Sequence, residues 1–205
     1  MTAGSGIFHQ EMPKPSYDID DKGNKILNTR NKGLQLWINL PHNMKLTDPV
    51  YRDIRADKIP IEDIDLGKVK IVSGSYNGIG GLVKVKSPVM PLYLHIEIEK
   101  GGTFKYNIDR SYTTLAFIIS GSGYFDDIQP LISEGYLVIY GDGDEIRVRA
   151  SEYSSLSFIL LAGKPIREPI AWYGPIVMNR YDEIEEAFRE LKNGTFIRNK
   201  NPLFE

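Results

Sequence analysis

An all-β fold of the jelly-roll type is predicted for this chain, on three observations. From about Val69 onward, short apolar or alternating runs follow one another with turn residues between them: KVKIVSGS, GLVKVKSPVM, LYLHIEIEKGG, SYTTLAFIISGSGYF, EGYLVIYGDGDEIRVRA and SSLSFILLAG. Strands at that spacing read as a sandwich or barrel. Single glycines punctuate them, as in Gly121-Ser122-Gly123 and Gly141-Asp142-Gly143-Asp144, where tight corners require a positive φ or a missing Cβ. Helical periodicity is confined to the end of the chain. Ile184, Ala187, Phe188 and Leu191 recur at i, i+3, i+4 and i+7, predicting a helix over 182–193 with Gly194 as its C-cap.

The elements before the barrel are less regular. Residues 1–13, MTAGSGIFHQEMP, read as a strand carrying His9 and Glu11 on one face. Residues 14–32 are polar and rich in turn formers, and they predict an exposed loop with a hairpin turn at Lys22-Gly23-Asn24. In Leu34 to Leu40 both alternating faces are bulky, with Leu34, Leu36, Ile38 and Leu40 on one and Gln35, Trp37 and Asn39 on the other. That pattern predicts a strand buried on both sides. Thr47-Asp48-Pro49 reads as a helix start, with a short helix from Pro49 to Ala56 that Pro60 terminates.

Composition excludes several functions. The 205 residues carry 25 basic and 27 acidic side chains, a net charge of -2, so the basic footprint of a direct nucleic-acid binder is missing. There is no cysteine, hence no disulfide, thiolate zinc site or thiol nucleophile. This composition fits a cytoplasmic protein. The longest apolar runs, Leu115–Ile119 and Phe158–Ala162, are too short to span a bilayer. No basic n-region precedes an apolar segment at the start, and no membrane partner is expected.

His9 and Glu11 are the candidate metal ligands. An imidazole and a carboxylate at i, i+2 suit Fe(II), Mn, Zn or Cu, but two donors fall short of the three or more that a stable site needs. A terminal strand without metal is therefore the competing reading. His42 lies in the loop Pro41-His42-Asn43 and is expected to be solvated. His95 alternates with Tyr93, Glu97 and Glu99, opposite Leu94, Ile96 and Ile98. Such a face could bind metal by composition, but the polar outer face of a core strand explains it better. Glu183, Glu185 and Glu186 suit a helix N-terminus. Asp142 and Asp144 could suggest calcium, but a corner turn accounts for them. Trp37 and Trp172 are expected in a core or interface. No Ser/His/Asp arrangement is evident, and Gly78-Ile79-Gly80-Gly81 lacks P-loop spacing.

An apolar strand ending in G-x-G, followed by a G-D turn, resembles the two motifs of the cupin barrel, a double-stranded β-helix. The metal ligands of that pattern are replaced here by Tyr106-Asn107-Ile108-Asp109-Arg110 with Thr113 and Thr114, and the second motif's histidine is absent from EIRVRA. Four further stretches occur in one family's order: MTAGSGIFHQE (1–11), GLQLWINLP (33–41) with Asp48-Pro49-Val50-Tyr51, AGKPIREPI (162–170) and YGPIVMN (173–179). Together they resemble the pirin family, which implies two cupin barrels in tandem. The first holds one metal, usually iron, on three histidines and a glutamate, and the second is metal-free. His9 and Glu11 would be two of those four ligands, and Glu11 a catalytic general base as well. The family's His-Pro-His-x-Gly-Phe-Glu stretch, upstream of M-T-A-G, is not in this sequence, so the chain is expected to correspond to an N-terminally truncated pirin.

The resemblance divides the chain into a remnant of the metal-binding barrel with a linker at 1–40, a metal-free barrel at 41–178, and a helix and tail at 179–205. It implies iron or another divalent transition metal as cofactor, or none in this chain. One functional reading is a degenerate, non-catalytic pirin-like protein acting through protein–protein contact. The alternative is a metal-dependent quercetin 2,3-dioxygenase using His9 and Glu11 with ligands from outside the chain. Exposed edges and apolar patches at 1–40 and after Trp172 predict a homodimer.

Overall fold

The computed structural model describes residues 1–10, 12, 15–28, 33–127, 130–198 and 203–204. Two compact units emerge, Ala3–Val50 with Ile170–Leu203, and Tyr51–Pro169. The second unit is the all-β jelly roll.

In the first unit, β1 (Ser16–Ile19) and β2 (Lys25–Asn28) form an antiparallel hairpin. Its turn is closed by Asp20, whose carboxylate accepts hydrogen bonds from the backbone N–H of Lys22 (2.9 Å) and Asn24 (2.7 Å), an Asx-type turn. The expected hairpin is therefore present. Later in this unit come β15 (Ala171–Tyr173), β16 (Ile176–Met178) and the helix α1 (Tyr181–Lys192). The helix buries Ile184 and Ala187 against Ala171 and Ile176, with Phe188 beside them. It ends as expected. The N–H of Gly194 donates to the Leu191 carbonyl and that of Thr195 to the Glu190 carbonyl, at 3.2 and 2.9 Å, a Schellman cap.

Four expectations are corrected here. Residues 3–10 are irregular rather than a strand. Gly4 has φ +51°, and a Cβ there would lie 2.1 Å from the Thr47 carbonyl oxygen, so the chain turns where a strand would run straight. Leu34 to Leu40 is not a strand buried on both sides. No described strand pairs with it, and Leu34, Leu36 and Trp37 are 57%, 43% and 54% exposed. Burial on two faces requires a paired strand with a packed layer on each side, which alternation alone cannot supply. There is no helix from Pro49 to Ala56. Val50–Tyr51 is a short strand, β3, and only a 3-10 turn, Ala56–Lys58, precedes Pro60. A cap and a proline can start a helix, but propagation requires an apolar stripe to bury. Gly81 to Met90 is also not a strand. It touches the strand Gly67–Ser73 through Val83, whose N–H donates to the Val72 carbonyl, while Pro88 and Pro91 bring no donor.

The second unit contains β4 (Ile61–Ile64), β5 (Gly67–Ser73), β6 (Ser75–Tyr76), β7 (Ile79–Gly80), β8 (Leu92–Ile98), β9 (Thr103–Asn107), β10 (Thr113–Tyr124), β11 (Ile132–Ser133), β12 (Leu137–Ile139), β13 (Glu145–Ala150) and β14 (Leu156–Gly163). The main sheet runs β4-β5-β8-β14-β10-β13-β9, with β11 and β12 also paired to β10. A last short strand, β17, spans Leu203–Phe204. β4 and β9 had no sequence counterpart, being short and half polar.

The twelve-residue β10 joins the two halves of the roll. Thr113 to Gly121 pair with β14, and Gly123 and Tyr124 pair with β13. Within the β14-paired stretch the register shifts at Ile118/Ser120, a bulge that bends the strand. Gly121 completes the bend with φ +79°, and a Cβ there would sit 1.8 Å from the Ser155 carbonyl oxygen. Only glycine fits this corner.

Register then lines up the core. Val69, Ile96, Phe158 and Ile118 lie side by side across β5, β8, β14 and β10, and Ile71, Leu94, Leu160 and Ala116 form the next row. All eight have zero exposure. Phe158 meets Phe104 of β9 edge-to-face at 5.9 Å and Phe125 at 5.3 Å, closing one half of the roll over the other. Burying such side chains contributes about 1.5–3 kcal/mol each.

Candidate functional site

Of the two predicted ligands, only His9 lies among the described residues. His9 lies exposed on the irregular N-terminal segment, and Glu11 falls outside the described residues. Among the described residues, no group of three or more His, Cys, Asp or Glu side chains could hold a metal ion.

His42 is exposed as expected, and it is also paired. Its ring is 54% exposed, but Nε2 lies 2.9 Å from Glu183 Oε1. The other carboxylate oxygen, Oε2, accepts hydrogen bonds from the backbone N–H of Arg180 (2.9 Å) and Asn179 (3.1 Å). Glu183 thus caps the helix and holds the 41–47 loop at once. The hydrogen bond with His42 is the main reason its carboxyl is held below the usual carboxylate range, as expected for an anion at a helix N-terminus. A cavity of about 360 Å³ opens beside this pair, lined by His42, Met44, Lys45, Thr47, Met178 and Glu183. Lys45 is only 6% exposed, and its ammonium donates to Asn39 Oδ1 at 2.6 Å. Nothing in the sequence marked Lys45 as buried, because a loop lysine reads as solvated.

His95 occupies the outward side of β8, as expected, though half-buried rather than open. Nε2 hydrogen-bonds Ser157 Oγ at 2.9 Å and lies 3.9 Å from Glu97 Oε1. Lys68 and Lys70 reach Glu97 at 2.9 and 3.3 Å. Burial, reinforced by the charge of Lys70, pushes the imidazole below its ordinary pKa. Burial alone would raise the Glu97 carboxyl, but the hydrogen bond from Lys68 and the charge of Lys70 bring it below the usual range. This cross-strand network pairs His95 and Glu97 on the polar side of β8.

Trp37 and Trp172 are not core residues. They are 54% and 63% exposed and meet edge-to-face at 6.3 Å. The Asp142–Asp144 turn is a corner, with Asp144 paired to Arg110 at 3.3 Å.

Residues 93–197 match the model of the pirin C-terminal cupin domain, half of the chain. A Thermoplasma acidophilum protein, provisionally named as a quercetin 2,3-dioxygenase, is 38% identical over the whole of this chain and 80% of its own length. The chain belongs to the pirin family. Human pirin is 35% identical over 95% of the chain, which spans 64% of that protein. Among solved structures, a quercetin 2,3-dioxygenase from Acinetobacter baumannii superposes with a TM-score of 0.71 at 28% identity, covering 78% of this chain and 55% of that one. The pirin C-terminal barrel is thus the part of the family most fully represented here. The stretch there that the cupin resemblance sets against the metal ligands reads Tyr106-Asn107-Ile108-Asp109-Arg110, with Thr113 and Thr114 after it.

Proposed function

We propose that this chain works by binding a protein partner rather than by catalysis. The supporting observation is the barrel interior. Its core rows are packed with Val69, Ile71, Leu94, Ile96, Phe158 and Leu160, an apolar interior that suits a scaffold. The surface offers the complementary feature. In one unit Leu34, Leu36, Trp37, Ile170 and Trp172 are all more than two-fifths exposed, with Trp37 against Trp172, and exposed apolar residues of that size favour an interface. A homodimer through residues 1–40 and the segment after Trp172 is the simplest use of it. The charge balance argues for a protein rather than direct nucleic-acid contact, and a chain without cysteine suits the cytoplasm. No described helix is long and apolar enough to cross a membrane.

A second reading is favoured by the names of the relatives. In it the protein is a quercetin 2,3-dioxygenase that uses iron or another divalent transition metal on His9 and Glu11, with the remaining ligands supplied from outside the chain. Elemental analysis of the purified protein, paired with a flavonol turnover assay, separates the two readings. Metal-free, inactive protein is expected. Near-stoichiometric iron with turnover would overturn the binding reading.

A further inference from the structure

The geometry points to Asp142-Gly143 as a site where the barrel modifies its own backbone, through a succinimide that hydrolyses to isoaspartate. A backbone amide attacks the preceding side chain most readily where it belongs to a glycine, because no Cβ obstructs the approach. Three Asn-Gly or Asp-Gly pairs occur in the sequence: Asn77-Gly78, Asp142-Gly143 and Asn193-Gly194. The fold treats them differently.

Two of them are held. Asn193 is the C-cap of α1, and the N–H of Gly194 donates to the Leu191 carbonyl at 3.2 Å. Asn77-Gly78 is the tight turn between the paired residues Tyr76 and Ile79 of β6 and β7, with φ of +47° and +81°. The rotation that ring closure needs would open that hairpin.

The third is open. Gly141, Asp142 and Asp144 are exposed, and the 141–144 corner belongs to no strand. Among the described residues, the Asp142 carboxylate accepts no hydrogen bond and joins no ion pair, and the Gly143 N–H has no acceptor. A Cβ on Gly143 would meet nothing within 4 Å, and its φ lies outside the left-handed region. The charged neighbours are committed to each other, Asp144 to Arg110 at 3.3 Å and Glu145 to Arg147.

The chemistry is self-contained. The Gly143 nitrogen bonds to Asp142 Cγ, and its proton leaves with a carboxyl hydroxyl as water, giving a cyclic imide. Water then reopens the imide. Cleavage of the Cγ–N bond restores aspartate, and cleavage of the original peptide bond leaves the chain running through Cγ. Loss of water requires the protonated acid, so mildly acid solution favours this step, whereas loss of ammonia from asparagine is favoured by base. The extra backbone carbon falls between two fixed points. The Tyr140 N–H is held on the Thr114 carbonyl at 3.1 Å, and the Ile108 N–H on the Asp144 carbonyl at 2.9 Å.

The full chain, held for weeks in mildly acid buffer and then mapped by peptide mass spectrometry, should accumulate a mass-neutral isoaspartyl peptide at Asp142. Amide exchange at Ile108 should quicken in the aged protein. Gly143→Ala, which the corner accommodates, should fold normally and form isoaspartate about tenfold more slowly, a barrier higher by about 1.4 kcal/mol. Asp142→Asn isolates the backbone effect, because three Asn-Gly pairs then share one chemistry. In mildly alkaline buffer position 142 should deamidate ahead of Asn77 and Asn193. Absence of isoaspartate at Asp142, an equal rate in Gly143→Ala, or an asparagine at 142 that lags behind Asn77 or Asn193 would each overturn the inference.

Discussion

The barrel and the unit formed by Ala3–Val50 with Ile170–Leu203 solve the burial problem in opposite ways. In the barrel, sheet register stacks aliphatic and aromatic residues into rows with zero exposure, and the polar side of β8 is satisfied by His95, Ser157, Glu97 and two lysines. In the other unit the apolar run at 34–38 finds no strand, and Trp37 packs on Trp172 while both stay more than half exposed. Its order comes instead from polar anchors, Glu183 with His42 and the backbone of Asn179 and Arg180, and from the small cluster around Ile184. The difference locates stability in the barrel and available contact surface in the flanking unit.

That division can be broken most forcefully in the barrel. Phe158→Ala removes the ring that touches both Phe104 and Phe125 and should destabilise by about 3–5 kcal/mol, measured by urea denaturation. A loss under 1 kcal/mol would mean that the two halves of the roll are not held through this ring. Gly121→Ala comes next, at about 1–3 kcal/mol from the left-handed φ together with the close Ser155 carbonyl.

In the flanking unit the effects should be smaller and local. Glu183→Gln should lower stability by about 1 kcal/mol and speed amide exchange in the first turn of α1 without touching the barrel strands. The pH dependence has a definite sign. The folded Glu183 carboxyl titrates below its ordinary value, so its contribution is fully present above the unfolded value and is lost as pH falls through the folded one. Wild type should therefore lose α1 protection in the acid range, and Glu183→Gln should lack that step.

His95 gives the barrel its own pH signature. Its folded pKa is depressed, so its contribution is complete above the ordinary histidine value and declines as pH drops below it. Wild type should lose stability from that value downward, and His95→Gln should flatten that part of the curve. An unchanged curve would show that the imidazole is not held neutral.

Trp37→Ala should be the mildest change, within about 0.5 kcal/mol in stability as for other surface sites, yet it should shift a dimer toward monomer in light scattering. A wild-type monomer at micromolar concentration would leave the exposed patch without its proposed homodimer role.

The residues legible from sequence were those whose pattern carries its own physics. Alternation in Leu92 to Ile98 marked a strand with one core face, and the apolar run in Leu156 to Gly163 marked a more fully buried one. The i, i+3, i+4 spacing from Ile184 marked α1, and the Gly121 corner was visible as punctuation. Trp37 was misplaced because alternation reports which residues could be buried and not whether a partner strand exists. The helix at Pro49 was misplaced because a start signal says nothing about propagation. His42 looked solvated because its partner Glu183 lies 141 positions away.

By itself the sequence determined the all-β class, the C-terminal helix, the pirin resemblance and the absence of histidines from the barrel's ligand positions. These depend on local periodicity, turn chemistry and residue identity. The tertiary structure alone decided that His42 meets Glu183, that His95 sits in a lysine–glutamate network, that Trp37 stays at the surface and that Asp142-Gly143 is left open at an exposed corner. Each of these depends on which distant segments the sheet register and loop closure bring together, and that information is not carried by any single stretch of the chain.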